Sequence, residues 1–257
     1  MTISYSRATL ALCLLGVSLA TVKVSAQPSP ENDTPTTDAF LSLMQKARRH
    51  AQEHGAHFTP ALSPAEGTVE GASPKVNVAA MHAAGFRVVP WTVNDPEKMR
   101  ELIRLRVDGI ISDRPDLLQK VIREERATAG NSQEVQNYFS SLDAEGHRGG
   151  RGLRPENTLP AFEGGLDNLI TSIETDTGVT NDHVSLIWHD QFLNPDSCRR
   201  ADGSEYTMTN RVYTQDISMA DAQKQFICDK GAFWDIAEEW SVVVAGRSSI
   251  CSQRTHA

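Results

Sequence analysis

Apolar positions in this chain alternate between helical spacing and short β-rich runs. In residues 38–54, Phe40, Leu41, Met44 and Ala47 share one face of a 3.6-residue repeat, and Gly55 follows, which predicts a helix ended by glycine. Residues 56–60 suggest a short strand, and 61–74, with two glycines and two prolines, a loop. A helix is expected over 76–84, stopped by Gly85, and then a buried strand over the valine-rich 86–93. Asp95 is placed to cap the next helix, with Pro96 at its first position and Met99, Leu102, Ile103 and Arg106 marking a narrow apolar face. Residues 107–111 read as another buried strand and 117–125 as its helix.

Beyond this block the pattern weakens and then resumes. Residues 126–144 read as a connector holding a short helix through Val135 and Phe139. Thr158 then caps a helix with Phe162 and Leu166 on its buried side, strands follow over 169–175 and 184–188, and 194–210 is a polar insertion. Residues 221–228 suggest a helix, 240–244 a last strand, and 246–257 a frayed tail. Alternation of short apolar strands with helices of about ten residues is the signature of an α/β fold with a parallel sheet or barrel. The strand candidates number six or seven, short of the eight that close a barrel.

The N-terminus departs from this pattern. Arg7 precedes an apolar run over 8–22 that ends in Val24-Ser25-Ala26, the form of a secretory signal cleaved before Gln27. An N-terminal helix that stays buried or anchors the chain is the other reading; the run is short for a membrane span. The organisation expected is a signal at 1–26, a leader and helix at 27–54, a first block at 55–125, the connector at 126–144, a second block at 145–245 and the tail. The localisation expected is periplasmic or extracellular.

Composition narrows the partners. The 257 residues carry a formal charge of −8, and loss of the signal, with Arg7 and Lys23, makes the chain more acidic still. Such a chain has no general attraction for nucleic acid or anionic bilayers. With Cys13 in the signal, Cys198, Cys228 and Cys251 remain, an odd number that allows one intrachain bridge. Cys198 with Cys228 is the favoured pair, because both flank the insertion.

The residues that carry chemistry gather in the second block. Glu174 and Asp176, two apart at a strand end, point the same way along the pleat, and two hard oxygen ligands suit a divalent cation such as Mg²⁺ or Ca²⁺. His147 and Arg148 follow a short strand and precede Gly149, Gly150 and Gly152, a corner where backbone can approach a phosphate. His189 and Asp190 end the next strand. Two histidines, two carboxylates and an arginine at successive strand ends meet the needs of phosphodiester cleavage: charge neutralisation and proton transfer at both oxygens.

These residues also resemble a known family, the glycerophosphodiester phosphodiesterases, in His147-Arg-Gly, Arg154-Pro-Glu-Asn-Thr-Leu-Pro-Ala-Phe162, Glu174-Thr-Asp176, Gly178-Val-Thr-Asn-Asp182 and His189-Asp190. The resemblance implies a TIM barrel, catalytic histidines at His147 and His189, and metal-binding carboxylates at Glu174 and Asp176. It further implies that Arg148 holds the phosphate while Glu156 and Asn157 shape the loop beside it. The substrate class it implies is the small-molecule glycerophosphodiesters, cleaved to glycerol 3-phosphate and an alcohol.

The first block is similar to the family's last two barrel strands, in Val88-Val-Pro-Trp-Thr-Val-Asn94 and Val107-Asp-Gly-Ile-Ile-Ser-Asp-Arg-Pro-Asp116, and the resemblance sets Trp91 near the glycerol. The order is therefore circularly permuted, tail before head. The family's middle strands have no counterpart, nor does its third metal carboxylate; Glu238 and Glu239 are poor substitutes. Open strand edges would need cover, a homodimer being one form of it. An impaired relative that binds glycerophosphodiesters or a divalent ion without turnover stands as the alternative function.

Overall fold

The protein is described by a computed structural model covering residues 37–56, 58–70 and 74–229. The signal, Cys13, most of the leader, Cys251, Glu238, Glu239, the 240–244 strand and the tail lie outside the described residues.

Local chemistry starts the helices where the sequence marks them. α1 spans Thr37–Glu53 and α2 spans Val78–Ala83, after which Gly85 adopts the left-handed φ of 75° that ends it. α3 (Pro96–Arg104) begins with the Asp95 carboxylate accepting from the Glu97 and Lys98 amides, and it buries Met99, Leu102 and Ile103. α4 (Pro115–Thr128) lies against it, and Arg100 and Arg104 donate across to Glu124 and Glu125.

The connector is part of the body rather than a link between two bodies. Within it α5 (Gln133–Ser141), capped by Ser132, buries Val135 and Phe139, and the Tyr138 hydroxyl donates to the Ile103 and Val107 carbonyls. Its last residues enter the sheet.

That sheet is built from parallel segments in chain order. β1 (Gly109–Ser112), β2 (Asp143–Gly146) and β3 (Ser172–Ile173) pair side by side, with Ser112 opposite Gly146 and Gly146 opposite Ile173. On the other side of β1 runs the extended segment 88–93, which accepts from Asp108 and Ile111 and donates back through Val93. Beyond it lies 62–65, bridged in parallel at Leu62 to Val88 and at Ala65 to Trp91. Helices alternate with these segments, so the fold is TIM-barrel-like, with five parallel positions filled among the described residues.

Several expected boundaries move, each for a physical reason. The strand expected over 56–60 forms at 62–65 instead, because Phe58 is exposed while Leu62 is buried against the sheet. The run 86–93 pairs on both flanks but not continuously, since Pro90 brings no N–H to the ladder. The strand expected over 169–175 shrinks to β3, for Leu169 takes a left-handed φ of 60° and is exposed. On α6 (Leu159–Asp167) Leu166 faces outward, not inward as expected; the buried positions are Ala161 and Gly165.

The last part of the chain forms a second body of packing. β4 (Thr177–Val179) and β5 (Ser185–Ile187) make an antiparallel hairpin, and β6 (Arg199–Arg200) pairs antiparallel with β7 (Phe226–Ile227). α7 spans Met219–Gln225, so the helix expected over 221–228 starts earlier and gives way to β7. Two hydrophobic cores result. One gathers α1 to α5 and the sheet around Met81, Phe86, Met99, Leu102 and Leu118; the other holds Leu186, Trp188, Leu193, Tyr206 and Phe226. The insertion thus contributes Cys198 and Tyr206 to a core rather than forming a free polar loop.

Cys198 and Cys228 are bonded, the pair favoured from the sequence, across a separation of 30 residues. A loop of that length stabilises through the denatured chain by about 3–4 kcal/mol. Cys198→Ser with Cys228→Ser should therefore lower the urea midpoint reported by Trp188 fluorescence; an unchanged midpoint would show that the second core holds without the bridge. Among the described residues no helix is long and apolar enough to cross a membrane.

Candidate active site

Strand register brings the candidate residues together. Because Ser112, Gly146 and Ile173 lie level across three adjacent parallel strands, the next residue of each, Asp113, His147 and Glu174, emerges at the same end of the sheet. His147 Nδ1 lies 2.6 Å from Asp113 Oδ1, and its Nε2 lies 3.8 Å from Glu174 Oε2. The imidazole is mostly buried, with a carboxylate on each side.

The backbone after His147 turns sharply to make this possible. Arg148 and Gly149 have φ of 51° and 92°, and a Cβ on Gly149 would lie 2.5 Å from the Phe162 ring and 2.8 Å from the Ala161 carbonyl carbon. Gly165 is equally tight: its Cβ would meet the Gly149 carbonyl oxygen at 2.2 Å. That closeness explains why α6 buries small residues and turns Leu166 out.

The Arg148 amide donates to Glu174 Oε2 at 3.0 Å, fixing that carboxylate. Its guanidinium is buried and largely committed to the protein: Nη1 donates to both Glu156 oxygens at 2.9 Å, and Nε lies 3.1 Å from Asp176 Oδ2. The Nε approach is close enough for an ion pair but misaligned for a hydrogen bond. Arg148 therefore ties Glu156 to Asp176. Asn157, also buried, donates to Asp176 Oδ2 at 3.3 Å and accepts from Thr175 Oγ1 at 2.9 Å. Arg151 joins the group with Nη1 3.3 Å from Glu156.

His189 and Trp91 stand further out. Trp188 donates its amide to the Asp176 carbonyl, so β5 runs past the carboxylates and His189 follows at its end. Its imidazole is 47% exposed, with Nδ1 2.7 Å from Asp190, which Asn194 holds in turn. Among the described residues no hydrogen bond or ion pair joins His189 to His147. Trp91 is half-exposed at the end of its segment, its indole N–H donating to the Ser63 carbonyl.

The carboxylates differ in how they hold a proton. Burial pushes Asp113 up, but hydrogen bonds from His147 and Asn94 outweigh it and hold the group below the ordinary range. Glu174 goes the other way, raised by burial and by the negative charge of Asp176 despite the Arg148 amide. Glu145, on the sheet face opposite the core residue Ala144, is buried and pushed up to about 8, first by burial and then by the charges of Asp143 and Glu174. Sequence reasoning missed Asp113 and Glu145 as parts of the site. The available signal for Asp113 was its place one residue past a buried strand, as for His147.

A divalent cation fits the oxygen chemistry here. Glu174 and Asp176 each give one oxygen to protein N–H groups, and the like charges around Glu174 make the spot short of positive charge. Among the described residues no three His, Cys, Asp or Glu side chains converge to hold an ion by themselves, so such an ion would keep several waters.

Comparisons with known proteins find similar sequences over parts of the chain. Over 45 residues the chain is 51% identical to a probable glycerophosphodiester phosphodiesterase 2 of Mycobacterium tuberculosis, covering 18% of this chain and 17% of the relative. It is 33% identical over 104 residues to a glycerophosphodiester phosphodiesterase of Bacillus altitudinis, 40% of each chain. The chain thus spans less than half the length of either curated relative. A putative glycerophosphoryl diester phosphodiesterase from Silicibacter pomeroyi DSS-3 overlaps it at 28% identity with a TM-score of 0.32, over 34% of this chain and 29% of that one. The family model of the glycerophosphoryl diester phosphodiesterases matches in two stretches, residues 21–117 and 147–224, well over half of the sequence. On that match the chain belongs to the glycerophosphoryl diester phosphodiesterase family.

Proposed function

We propose that the protein hydrolyses glycerophosphodiesters, releasing glycerol 3-phosphate and an alcohol, with a divalent cation, Mg²⁺ or Ca²⁺, held by Glu174 and Asp176. The observation that carries this reading is the His147 imidazole set within 3.8 Å of Glu174 at neighbouring strand ends, beside Asp176. Bound there, the ion would neutralise phosphate charge and ease deprotonation of an attacking hydroxyl or water.

The chain's own residues divide the remaining work. His147, with one ring nitrogen on Asp113, has the other free to accept a proton, and His189 at the end of β5 is the donor to the leaving alcohol. Arg148 acts mainly by holding Glu174, Asp176 and Glu156 in place; phosphate contact falls to whatever guanidinium edge those partners leave, and to Arg151. Glu156 and Asn157 keep the loop in register, and Trp91 offers an apolar face to the glycerol carbons.

Two further readings belong with this one. The first block is a family tail placed before a family head, a circular permutation supported by motif order and by the pairing of β1 with β2 across the connector. Export to the periplasm or beyond rests on the N-terminal run, and the Cys198–Cys228 bond suits an oxidising compartment.

Purified protein should release glycerol 3-phosphate from glycerophosphocholine only with a divalent ion present, and EDTA or Glu174→Ala should abolish release. Activity that survives both would overturn the proposal. The exposure of His189, unconnected to His147, favours one competing reading, binding without turnover. Calorimetry separates the two: ion-dependent heat of binding with no product supports the binder.

A further inference from the structure

We propose that Asp113, from the first block, is the positioning residue for His147, and that Asn94 holds Asp113 in turn. The inference rests on the function proposed above and assigns the first block a part in the chemistry.

The geometry is a relay of fixed hydrogen bonds. Asp113 Oδ1 faces His147 Nδ1 at 2.6 Å, and Oδ2 accepts from Asn94 Nδ2 at 2.9 Å. Asn94 is itself oriented, because its Oδ1 accepts from the Asp113 amide at 2.9 Å and from Ser112 Oγ at 3.1 Å. Ser112 is fully buried and accepts from the Arg114 amide at 3.0 Å. The Asp113 carbonyl accepts from the Gly152 amide at 2.8 Å, which binds the glycine-rich turn after His147 to the end of β1. Both oxygens of the Asp113 carboxylate thus have a partner that fixes their direction.

A carboxylate on Nδ1 determines which ring nitrogen carries the proton. It accepts the Nδ1 hydrogen, so the lone pair of neutral His147 sits on Nε2, the nitrogen that looks toward Glu174. It also stabilises the imidazolium formed once Nε2 has taken a proton. The charged groups facing His147 are Asp113 and Glu174, with Arg151 Nε 3.7 Å from Asp113. Asp113 stays ionised through neutral pH, its hydrogen bonds outweighing its burial.

Asp113→Asn tests this, since the amide can present its N–H₂ to Nδ1 and drive the proton to Nε2. The expected result is a fall in kcat of about 10²–10⁴-fold with KM little changed. Asp113→Glu should recover part of the rate. An Asp113→Asn enzyme within threefold of the parent in kcat, or one whose loss lies wholly in KM, would overturn the role. Nitrogen-15 NMR of the His147 ring supplies an arm independent of turnover: the parent should show the Nδ1–H form and Asp113→Asn the Nε2–H form. If the parent hydrolyses nothing, the hydrolase reading fails while the ring spectrum still decides the pairing; an Nε2–H form in the parent refutes it.

Discussion

Replacing His147 by glutamine should lower the rate of glycerophosphocholine hydrolysis by about 10²–10⁴-fold, the usual worth of a positioned proton-transfer group. The imidazole is the one titratable ring between Asp113 and Glu174, and glutamine cannot accept and pass on a proton. Glutamine still offers an N–H toward Asp113, so the Asp113–Asn94 hydrogen bonds survive and the protein should stay folded. His189→Gln should cost less with an activated substrate whose leaving group needs no proton, while His147→Gln should cost the same with both. A smaller loss with the activated substrate for His147→Gln instead, and equal losses for His189→Gln, would reverse the roles of base and acid. A His147→Gln protein with near-parent kcat would remove this histidine from the reaction.

The second large effect concerns stability. Glu145 is buried, and its carboxyl holds a proton up to about 8, against about 4.5 in an unfolded chain. The folded state therefore binds one more proton than the unfolded state between those values, and stability falls as pH rises through that window. It levels off above it. The full fall amounts to about 3–5 kcal/mol. Glu145→Gln keeps the shape and a donor toward Asp143 but cannot ionise, so its pH dependence should flatten and it should be the more stable protein at pH 8. Urea denaturation of both proteins in EDTA at pH 5 and pH 8 measures this. Parallel pH profiles for parent and variant would show that Glu145 ionises freely in the folded protein.

Much of the fold was legible in the sequence because local chemistry and burial agree. Asp95 with Pro96, Thr158 and Gly85 mark helix ends by side-chain capping or left-handed backbone, and each acts as its residue type predicts. The short strands were harder, since pairing rather than propensity fixes their limits. β3 keeps two residues because the chain leaves α6 through an exposed leucine in a left-handed conformation. The outward turn of Leu166 was invisible for a related reason. Helical periodicity assumed that the large residue faces the core, whereas contact with the Gly149 loop demands the small one.

The site was legible in residue type more than in partnership. His147 lies 3.8 Å from Glu174, whereas Asp176 is tied to Arg148 and Asn157. Arg148 is occupied by Glu156 and Asp176, a commitment that no spacing rule reveals. Asp113 belongs to a segment 34 positions earlier, so its role appears only once β1 and β2 are aligned.

The two separate cores have a consequence for how the protein can fail. Asp113 and His147 follow strands anchored in the first core, and Glu174 follows β3, which pairs with the second of them, while His189 rides on a hairpin anchored in the second core. Local opening of the smaller core costs less than global unfolding and would carry His189 away while the sheet stays intact. Heat inactivation can then run ahead of melting, with a still-folded barrel fragment left holding half of its acid–base pair.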